Sequence, residues 1–228
     1  EGAKIFEPIQ TDLCQLFYSR RIGKDPRYAD SAEYYFHHPT STTILAAAKI
    51  TGKTKGGTTI GFLNAVTDRE KADIWHVDGY RTKRVIEPEA NYNVIRLSQD
   101  IFKNSVIGIM STAVNQKGKI PSYSGGVDWN LRFLKQNYSF VGQVYGSSNG
   151  EKERGLGYLT ALGKEGGEHW RGNVVWFYLD KKINTNHLGY TKRNDLQGGS
   201  VWIQYKTQKE SWIIRNSWNN FNLSYDAN

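Results

Sequence analysis

Three pairs of carboxylates lie close enough together in the sequence to be considered as the acid and base of a glycosidase. A glycosidase needs two carboxyl groups about 5–9.5 Å apart across a substrate cleft, one of them with a raised pKa. All three pairs fall in loops or beside turns, among lysines and arginines, which is the usual setting of solvated acids. We therefore predict no catalytic residue, and an enzyme acting on polysaccharide stays an alternative. The pairs are Glu87 with Glu89, Asp68 with Glu70, and Glu151 with Glu153.

Histidine and cysteine are too sparse to predict a metal centre. His37 and His38 are adjacent, and the other three histidines stand alone in the sequence, whereas a metal site needs several convergent ligands. The single cysteine, Cys14, excludes an intramolecular disulfide and a thiolate cluster. The sequence also lacks a phosphate-binding loop motif. We predict neither a metal nor a cofactor.

Charged side chains at alternate positions of strand-like segments form a second group of candidates. In "GVDWNLRF" the apolar residues share one face, and Asp128, Asn130 and Arg132 share the other. In "LFYSRRIG" two arginines follow two aromatics, and neither face is apolar. We expect Arg–Asp pairs between neighbouring strands, which either fill a barrel interior, as in small barrels, or line a path for a polar solute. The predicted lumen or rim residues are Arg20, Arg21, Arg96, Asp100, Asp128, Arg132 and Arg171.

Aromatic residues supply the third group. Trp75 and Tyr80 fall in a long loop, and we expect them to be able to stack on sugar rings. Many other tryptophans and tyrosines fall near the ends of strand-like segments. That placement is typical of the interfacial girdles of membrane barrels, although an ordinary aromatic core would use the same residues.

Ten strand-like segments must position these side chains. Residues 1–42 are irregular, whereas residues 43–228 consist of segments of about ten residues, rich in β-formers, punctuated by Gly, Asn, Lys and Ser, and without a helical period. The pattern predicts an all-β fold, an antiparallel up-and-down meander of about ten long strands. The predicted strands are 43–52, 58–67, 91–101, 105–114, 124–134, 138–147, 155–164, 169–179, 198–207 and 211–221.

The links between these strands favour a membrane barrel over a soluble sandwich. Short lysine-bearing links such as "KTKGG" and "LKQN" alternate with longer ones at 68–90, 115–123, 148–154 and 180–197. Outer-membrane barrels have short turns at one end and longer loops at the other. Strands of about 9–11 tilted residues cross a bilayer, while strands in soluble sheets more often have about five or six residues. We predict an outer-membrane β-barrel, or part of a larger one.

The charge and hydropathy of the chain exclude other classes. The net charge is +8, but the basic residues are spread over turns and strand faces and form no long stripe, so we predict no nucleic-acid partner. No stretch approaches the roughly 18 apolar residues of a membrane helix.

Five stretches in order along the chain resemble one family. They are "EGAKIF" (1–6), "LFYSRRIG" (16–23), "ILAAAKITGKTKGGTTIGFLNAVT" (44–67), "EPEANYNVIRLSQDI" (87–101) and "LGYTKRNDLQGGSVWIQYK" (188–206). The chain resembles the outer-membrane barrel domains of unknown function that follow a family-9-type carbohydrate-binding module in Bacteroidota and related Gram-negative bacteria.

The resemblance implies a location in the outer membrane of a Gram-negative bacterium, with outer-membrane lipid and lipopolysaccharide as partners and glycan as a further one. It implies no reaction. The chain opens within the family's "EG" motif and stops at "LSYDAN", and we expect further strands in a complete barrel. The expected function is an outer-membrane barrel of unassigned activity, linked to surface glycan or solute handling. A soluble β-sheet carbohydrate-binding module is the main alternative, and the oligomeric state is open.

Overall fold

A computed structural model of the chain describes residues 3–6, 13–28, 35–37, 39–75, 78–150, 152–208 and 216–228. The described residues contain two single-turn 3-10 helices, Ala3–Phe6 and Ser19–Arg21, and no α-helix. Within that part of the chain, no helix is long and apolar enough to cross a membrane. The strands, numbered in chain order, are β1 (Cys14–Gln15), β2 (Tyr35–His37), β3 (Ile44–Lys53), β4 (Thr58–Thr67), β5 (Glu70–Trp75), β6 (Arg81–Glu87), β7 (Ala90–Ile101), β8 (Ser105–Gln116), β9 (Ser122–Phe133), β10 (Tyr138–Ser148), β11 (Arg154–Lys164), β12 (Trp170–Leu179), β13 (Tyr190–Thr191), β14 (Leu196–Thr207) and β15 (Ser217–Ala227).

Ten long strands form one antiparallel meander, in the order β15-β14-β12-β11-β10-β9-β8-β7-β4-β3. Each strand has 10 to 12 residues and hydrogen-bonds to its sequence neighbours among the long strands. The structure confirms the predicted all-β antiparallel fold. The register is continuous along the sheet interior, as in β7 and β8, which pair from Ala90 opposite Gln116 to Ile101 opposite Ser105.

One sequence-based prediction was wrong, and another lies partly outside the described residues. The last strand, predicted at 211–221, is described as β15 from Ser217 to Ala227, and residues 209–215 lie outside the described part of the chain. The link predicted as a loop at 68–90 contains the hairpin β5–β6, which joins β2 in a separate three-stranded sheet. The sequence analysis missed this hairpin because "EKADIW" and "RTKRVIE" carry charges on both faces and so lack an apolar face.

The two faces of the ten-stranded sheet differ in polarity and in cover. In β8, Ile107 and Ile109 are exposed on one face, while Met110, Thr112 and Val114 are buried on the other. We call these the outer face and the inner face. Large apolar side chains are exposed along the outer face of all ten strands: Ile50, Ile60, Phe62, Ile95, Leu97, Ile107, Ile109, Val127, Phe140, Val144, Leu162, Val174, Ile203, Phe221 and Leu223.

The N-terminal residues cover the inner face. Phe6, Leu16 and Phe17 are buried in one cluster with inner-face residues such as Tyr92 and Met110. The inner-face position 61 on β4 is a glycine, and a Cβ there would lie 2.9 Å from the Phe6 ring. Apolar side chains of the N-terminal residues therefore pack against the inner face of the sheet, and we call residues 13–28 the inner segment.

A loop at one end of the sheet holds the inner segment in place. Strand β1 pairs with β13 in the link between β12 and β14, with Cys14 opposite Thr191. The Tyr18 amide donates to the Leu188 carbonyl at 2.8 Å, and the Lys192 amide donates to the Leu13 carbonyl at 2.9 Å. The segment is thus joined by backbone hydrogen bonds to the 180–195 link, at the end of the sheet that we call the mouth.

Strands β3 and β15 form the two edges of the ten-stranded sheet. In the described strands each has a single neighbour, β4 and β14 respectively, and the two edges do not pair with each other. All ten residues of β3 are exposed. In the described strands the sheet is therefore open at both edges, and its inner face is covered over the inner strands but not at β3.

Candidate functional site

The most buried charges of the inner face form one ion pair. Alternation along β7 and β9 points Arg96 and Asp128 inward, and their exposed fractions are 4% and 5%. Arg96 donates from both terminal nitrogens to the two carboxylate oxygens, with 2.9 Å between Nη2 and Oδ2. This two-point geometry fixes both the distance and the plane of the pair.

The ion pair crosses an intervening strand. We expected Arg–Asp pairs between neighbouring strands, but β8 lies between β7 and β9. Gly108 of β8 lies directly opposite Asp128 in the register, and a Cβ at this position would lie 2.6 Å from the Arg96 Cζ atom. The missing side chain gives the guanidinium its path across β8, so three strands share one interaction.

Two further predicted residues form ion pairs near the end of the sheet opposite the mouth. Arg132 Nη1 lies 2.5 Å from Glu165 Oε2, in the turn after β11. Hydrogen bonds from Ser139 and Arg132 hold the pKa of the Glu165 carboxyl below its usual value. Asp100 Oδ2 lies 2.5 Å from the Lys53 amine, in an exposed pair.

Arg171 points into a cavity of about 330 Å³ on the inner face, near the same end. Its Nε atom is buried and has no hydrogen-bond acceptor among the described residues. The cavity lies over β10, β11, β12 and β14, where alternation places Ser139, Asn173 and Trp202 on the inner face beside Arg171.

At the mouth, a second buried polar group joins the inner segment to the sheet. Glu87, at the end of β6, is 2% exposed. Its carboxylate accepts hydrogen bonds of 2.7 Å from the Arg27 amide and from the Gln116 side chain, and it lies 3.4 Å from Arg27 Nε. The Arg27 Nη1 atom lies 3.0 Å from His187 Nδ1. The sequence analysis missed this group, because Arg27 falls in an irregular segment far from both partners.

More positive charge gathers around this group. Arg21 donates to the Gly189 carbonyl and to the Asn186 side chain, both at 2.9 Å. Burial, and then the charges of Arg27 and Arg21, lower the pKa of Lys24 to about 8. Burial and the same cations, together with Lys24, lower the pKa of His187 to about 4. Both shifts favour the uncharged form, as expected where like charges share a partly buried site.

The structure places the remaining predicted residues on exposed surfaces or outside its described part. Arg20 is exposed in the 3-10 helix Ser19–Arg21. Tyr80 is exposed in the turn between β5 and β6. The side chain of Trp75 lies outside the described residues.

The three carboxylate pairs do not converge on a cleft in the described part of the chain. Glu87 is engaged by Arg27 and Gln116, whereas Glu89 is exposed. Asp68 and Glu70 each accept a hydrogen bond from a nearby backbone amide. Glu151 lies outside the described residues, so its pair with Glu153 is not described.

Cys14 is buried beneath the mouth. Its Sγ atom lies 3.6 Å from the hydroxyls of Thr185 and Thr191, and burial raises the pKa of the thiol. A high pKa keeps the sulfur as the less reactive thiol. Among the described residues, no group of three or more His, Cys, Asp or Glu side chains is placed to hold a metal ion.

Comparison with known proteins gives a family for this arrangement. The whole chain, residues 1–228, matches the family described as "Domain of unknown function (DUF5916)". The chain belongs to this family. No curated protein and no solved structure matches it. The match confirms the part of the sequence-based resemblance that concerns a domain of unknown function, and the inner-face polar groups are features of a DUF5916 domain.

The first prediction concerns the buried ion pair of this DUF5916 domain. Removing one partner leaves a buried charge without compensation, so Asp128→Ala should lower the free energy of unfolding by about 3–5 kcal/mol. Asp100→Ala, in the exposed pair with Lys53, should cost about 0–1 kcal/mol. Urea unfolding followed by tryptophan fluorescence gives both values. The combined change Arg96→Met with Asp128→Leu should recover most of the loss. Equal effects of the two alanine variants would contradict this account.

The second prediction concerns the glycine beneath the pair. Gly108→Ala places a methyl group 2.6 Å from the Arg96 Cζ atom, so it should lower the free energy of unfolding by about 1–3 kcal/mol through overpacking. Gly52→Ala on β3 is the control, because no heavy atom lies within 4 Å of its new Cβ. The same urea titration measures both. A Gly108 variant as stable as the Gly52 variant would show that Arg96 does not need this path.

The third prediction concerns pH. His187 has a pKa of about 4 in the fold and 6.5 as its ordinary value, so between these values the unfolded chain holds more protons at this site. The contribution of His187 to stability therefore falls as the pH drops from 6.5 towards 4. His187→Gln removes this titration. The difference in unfolding free energy between wild type and variant should change within this window and stay constant above about pH 7. Parallel stability curves across the window would contradict the shift.

Proposed function

We propose that this DUF5916 domain is part of the wall of an outer-membrane β-barrel of a Gram-negative bacterium, with the inner segment lying in the lumen. Its proposed partners are outer-membrane lipid and lipopolysaccharide. The observation that carries the proposal is the exposed apolar outer face of the ten-stranded sheet, set against an inner face that buries the Arg96–Asp128 ion pair and is partly covered by N-terminal residues.

The extent of the outer face supports a lipid environment. Soluble monomers rarely expose a contiguous apolar patch larger than a few hundred Å². Here large aliphatic and aromatic side chains are exposed on adjacent strands from β3 to β15. A surface of this extent needs apolar surroundings, and hydrocarbon tails supply them without a specific protein partner.

The dimensions and the aromatic residues agree with a bilayer. Strands of 10 to 12 residues are long enough, because about 9–11 tilted residues cross the hydrocarbon core. Trp170, Tyr138 and Tyr205 lie near strand ends at the end opposite the mouth. The rings of Trp170 and Tyr205 are 4.8 Å apart. Paired rings at one level are typical of an interfacial girdle.

The two unpaired edges support a larger barrel. Backbone amides and carbonyls at a sheet edge cannot face lipid without partners. Strands β3 and β15 each have a free edge in the described sheet, so we propose that further strands pair with both. The inner face then becomes one side of a lumen, and the inner segment obstructs part of it.

We propose a binding or transport role for this lumen, directed at surface glycan or another polar solute, and no catalysis. The glycan link is supported by the resemblance to barrel domains that follow a family-9-type carbohydrate-binding module. The polar lining around Arg171 supports it independently, because the cavity there offers hydrogen-bonding groups to a solute.

Membrane location can be tested with the purified chain. An outer-membrane barrel should fractionate with the outer membrane, need detergent for solubility, and migrate differently on gels before and after heating. A monodisperse monomer in plain buffer would overturn the membrane proposal and favour a soluble β-sheet carbohydrate-binding module. Hydrolysis of a polysaccharide that is lost in Glu87→Gln would favour an enzyme instead.

The fourth prediction separates a lipid-facing from a water-facing outer face. Ile109, at the middle of the outer face of β8, is 54% exposed. Ile109→Arg should make folding into lipid vesicles less favourable by about 2–4 kcal/mol, because a cation would lie near the bilayer midplane. Asn115→Arg, on the same face near the strand end, should cost about 0–1 kcal/mol. An Ile109 variant as stable as the Asn115 variant would place the outer face in water.

A further inference from the structure

The Arg171 cavity combines free space with a cation that lacks a partner. The cavity has a volume of about 330 Å³, within the size range of small-molecule sites, which is roughly 300–1,000 Å³. The Arg171 Nε atom is buried and has no acceptor among the described residues, and no described carboxylate forms an ion pair with this guanidinium. Buried polar groups are normally hydrogen-bonded, so such an atom indicates a missing acceptor.

Small residues create the space next to Arg171. Gly163 and Ala161 occupy the inner-face positions of β11 beneath the cavity. A Cβ on Gly163 would lie 2.6 Å from the Ser139 hydroxyl oxygen. Because Ala161 has only a methyl group and Gly163 has none, no side chain from this part of β11 reaches across to cover the guanidinium.

The nearby carboxylate does not neutralise Arg171. Glu165 lines the same cavity, but its Oε2 atom lies 2.5 Å from Arg132 Nη1 and Ser139 donates a second hydrogen bond. These two partners stabilise the charged form of Glu165 and keep its pKa low. Arg171 therefore has no carboxylate partner among the described residues, and Lys164, which also lines the cavity, adds a second positive charge there. A guanidinium presents parallel N–H donors, which match the two oxygens of a carboxylate.

The rest of the lining favours a ring that carries hydroxyl groups. Trp202 lies opposite Asn173 in the register of β14 and β12. Its indole N–H donates to Asn220 at 3.2 Å, so the orientation of the ring is fixed and its face supplies apolar surface. Asn173 supplies both a donor and an acceptor. An apolar wall with a few polar groups that set orientation is the usual composition of a small-molecule site.

We propose that the Arg171 cavity binds an acidic sugar, with the carboxylate on the Arg171 guanidinium, the sugar ring against Trp202, and hydroxyl groups on Asn173. This inference deepens the proposed function, since it names the solute class for the lumen. It gives the domain a binding site at the end of the sheet opposite the mouth. The inner segment is held at the mouth by its contacts with the 180–195 link.

The test measures binding of glucuronate and glucose to the full chain by titration calorimetry, in whichever medium, detergent or plain buffer, keeps the chain monodisperse. Glucuronate should bind about tenfold or more tightly than glucose, which corresponds to about 1.4 kcal/mol. Arg171→Gln should remove this preference, while Arg171→Lys should keep part of it because the charge remains. Arg154→Gln, an exposed residue at the mouth end of β11, should leave binding unchanged.

Equal affinity for the two sugars, no glucuronate binding at millimolar concentration, or unchanged binding in Arg171→Gln would each overturn the proposal. The wild-type chain provides a measurement that does not depend on the folding of a variant. The indole N–H resonance of Trp202 should shift at about tenfold lower concentrations of glucuronate than of glucose, and a resonance that glucuronate leaves unchanged would contradict the site. Membrane partitioning depends on the outer face and not on Arg171, so the failure of this site and the failure of the membrane proposal are distinguishable.

Discussion

The two-residue alternation of the strands is the constraint on which the rest of this structure depends. Each long strand sends one set of side chains outward and the other inward, so a single sheet presents an exposed apolar face and an inner face on which buried charges lie among apolar residues. Neither face is stable by itself. The outer face needs apolar surroundings, and the inner face needs hydrogen-bonding partners for its buried charges. The inner segment meets part of the second need.

The inner face is satisfied in two different ways along its length. Near its middle, Arg96 and Asp128 neutralise each other across Gly108 and tie three strands together. At the mouth, the inner segment brings Arg27 to the buried carboxylate of Glu87, and apolar residues of the segment pack against inner-face residues of the sheet. Replacing these polar groups with apolar ones would often be neutral or stabilising, so their presence is consistent with the polar lumen that we propose.

The same arrangement leaves charge in excess at both ends of the inner face. Arg21, Lys24 and Arg27 crowd around one buried carboxylate at the mouth, where His187 stays neutral. At the opposite end, Glu165 is committed to Arg132, and Arg171 has no acceptor among the described residues. The excess positive charge on the inner face is a physical reason to expect anionic solutes there, because a polar cleft of one sign concentrates ions of the opposite sign.

The sequence by itself determined the fold class, most of the long strands and which of their side chains share a face, although it missed the hairpin β5–β6. Alternation is local, so "GVDWNLRF" alone places Asp128 and Arg132 on one face, and the strand β4 is found at its predicted residues 58–67. Only the tertiary structure decided the partners. Arg96 and Asp128 lie two strands apart, and their pairing requires the register that puts Gly108 between them. Arg27 meets Glu87 and His187 because the inner segment folds back over the sheet. Such contacts join residues distant in sequence, and no local pattern encodes the register and chain path that bring them together.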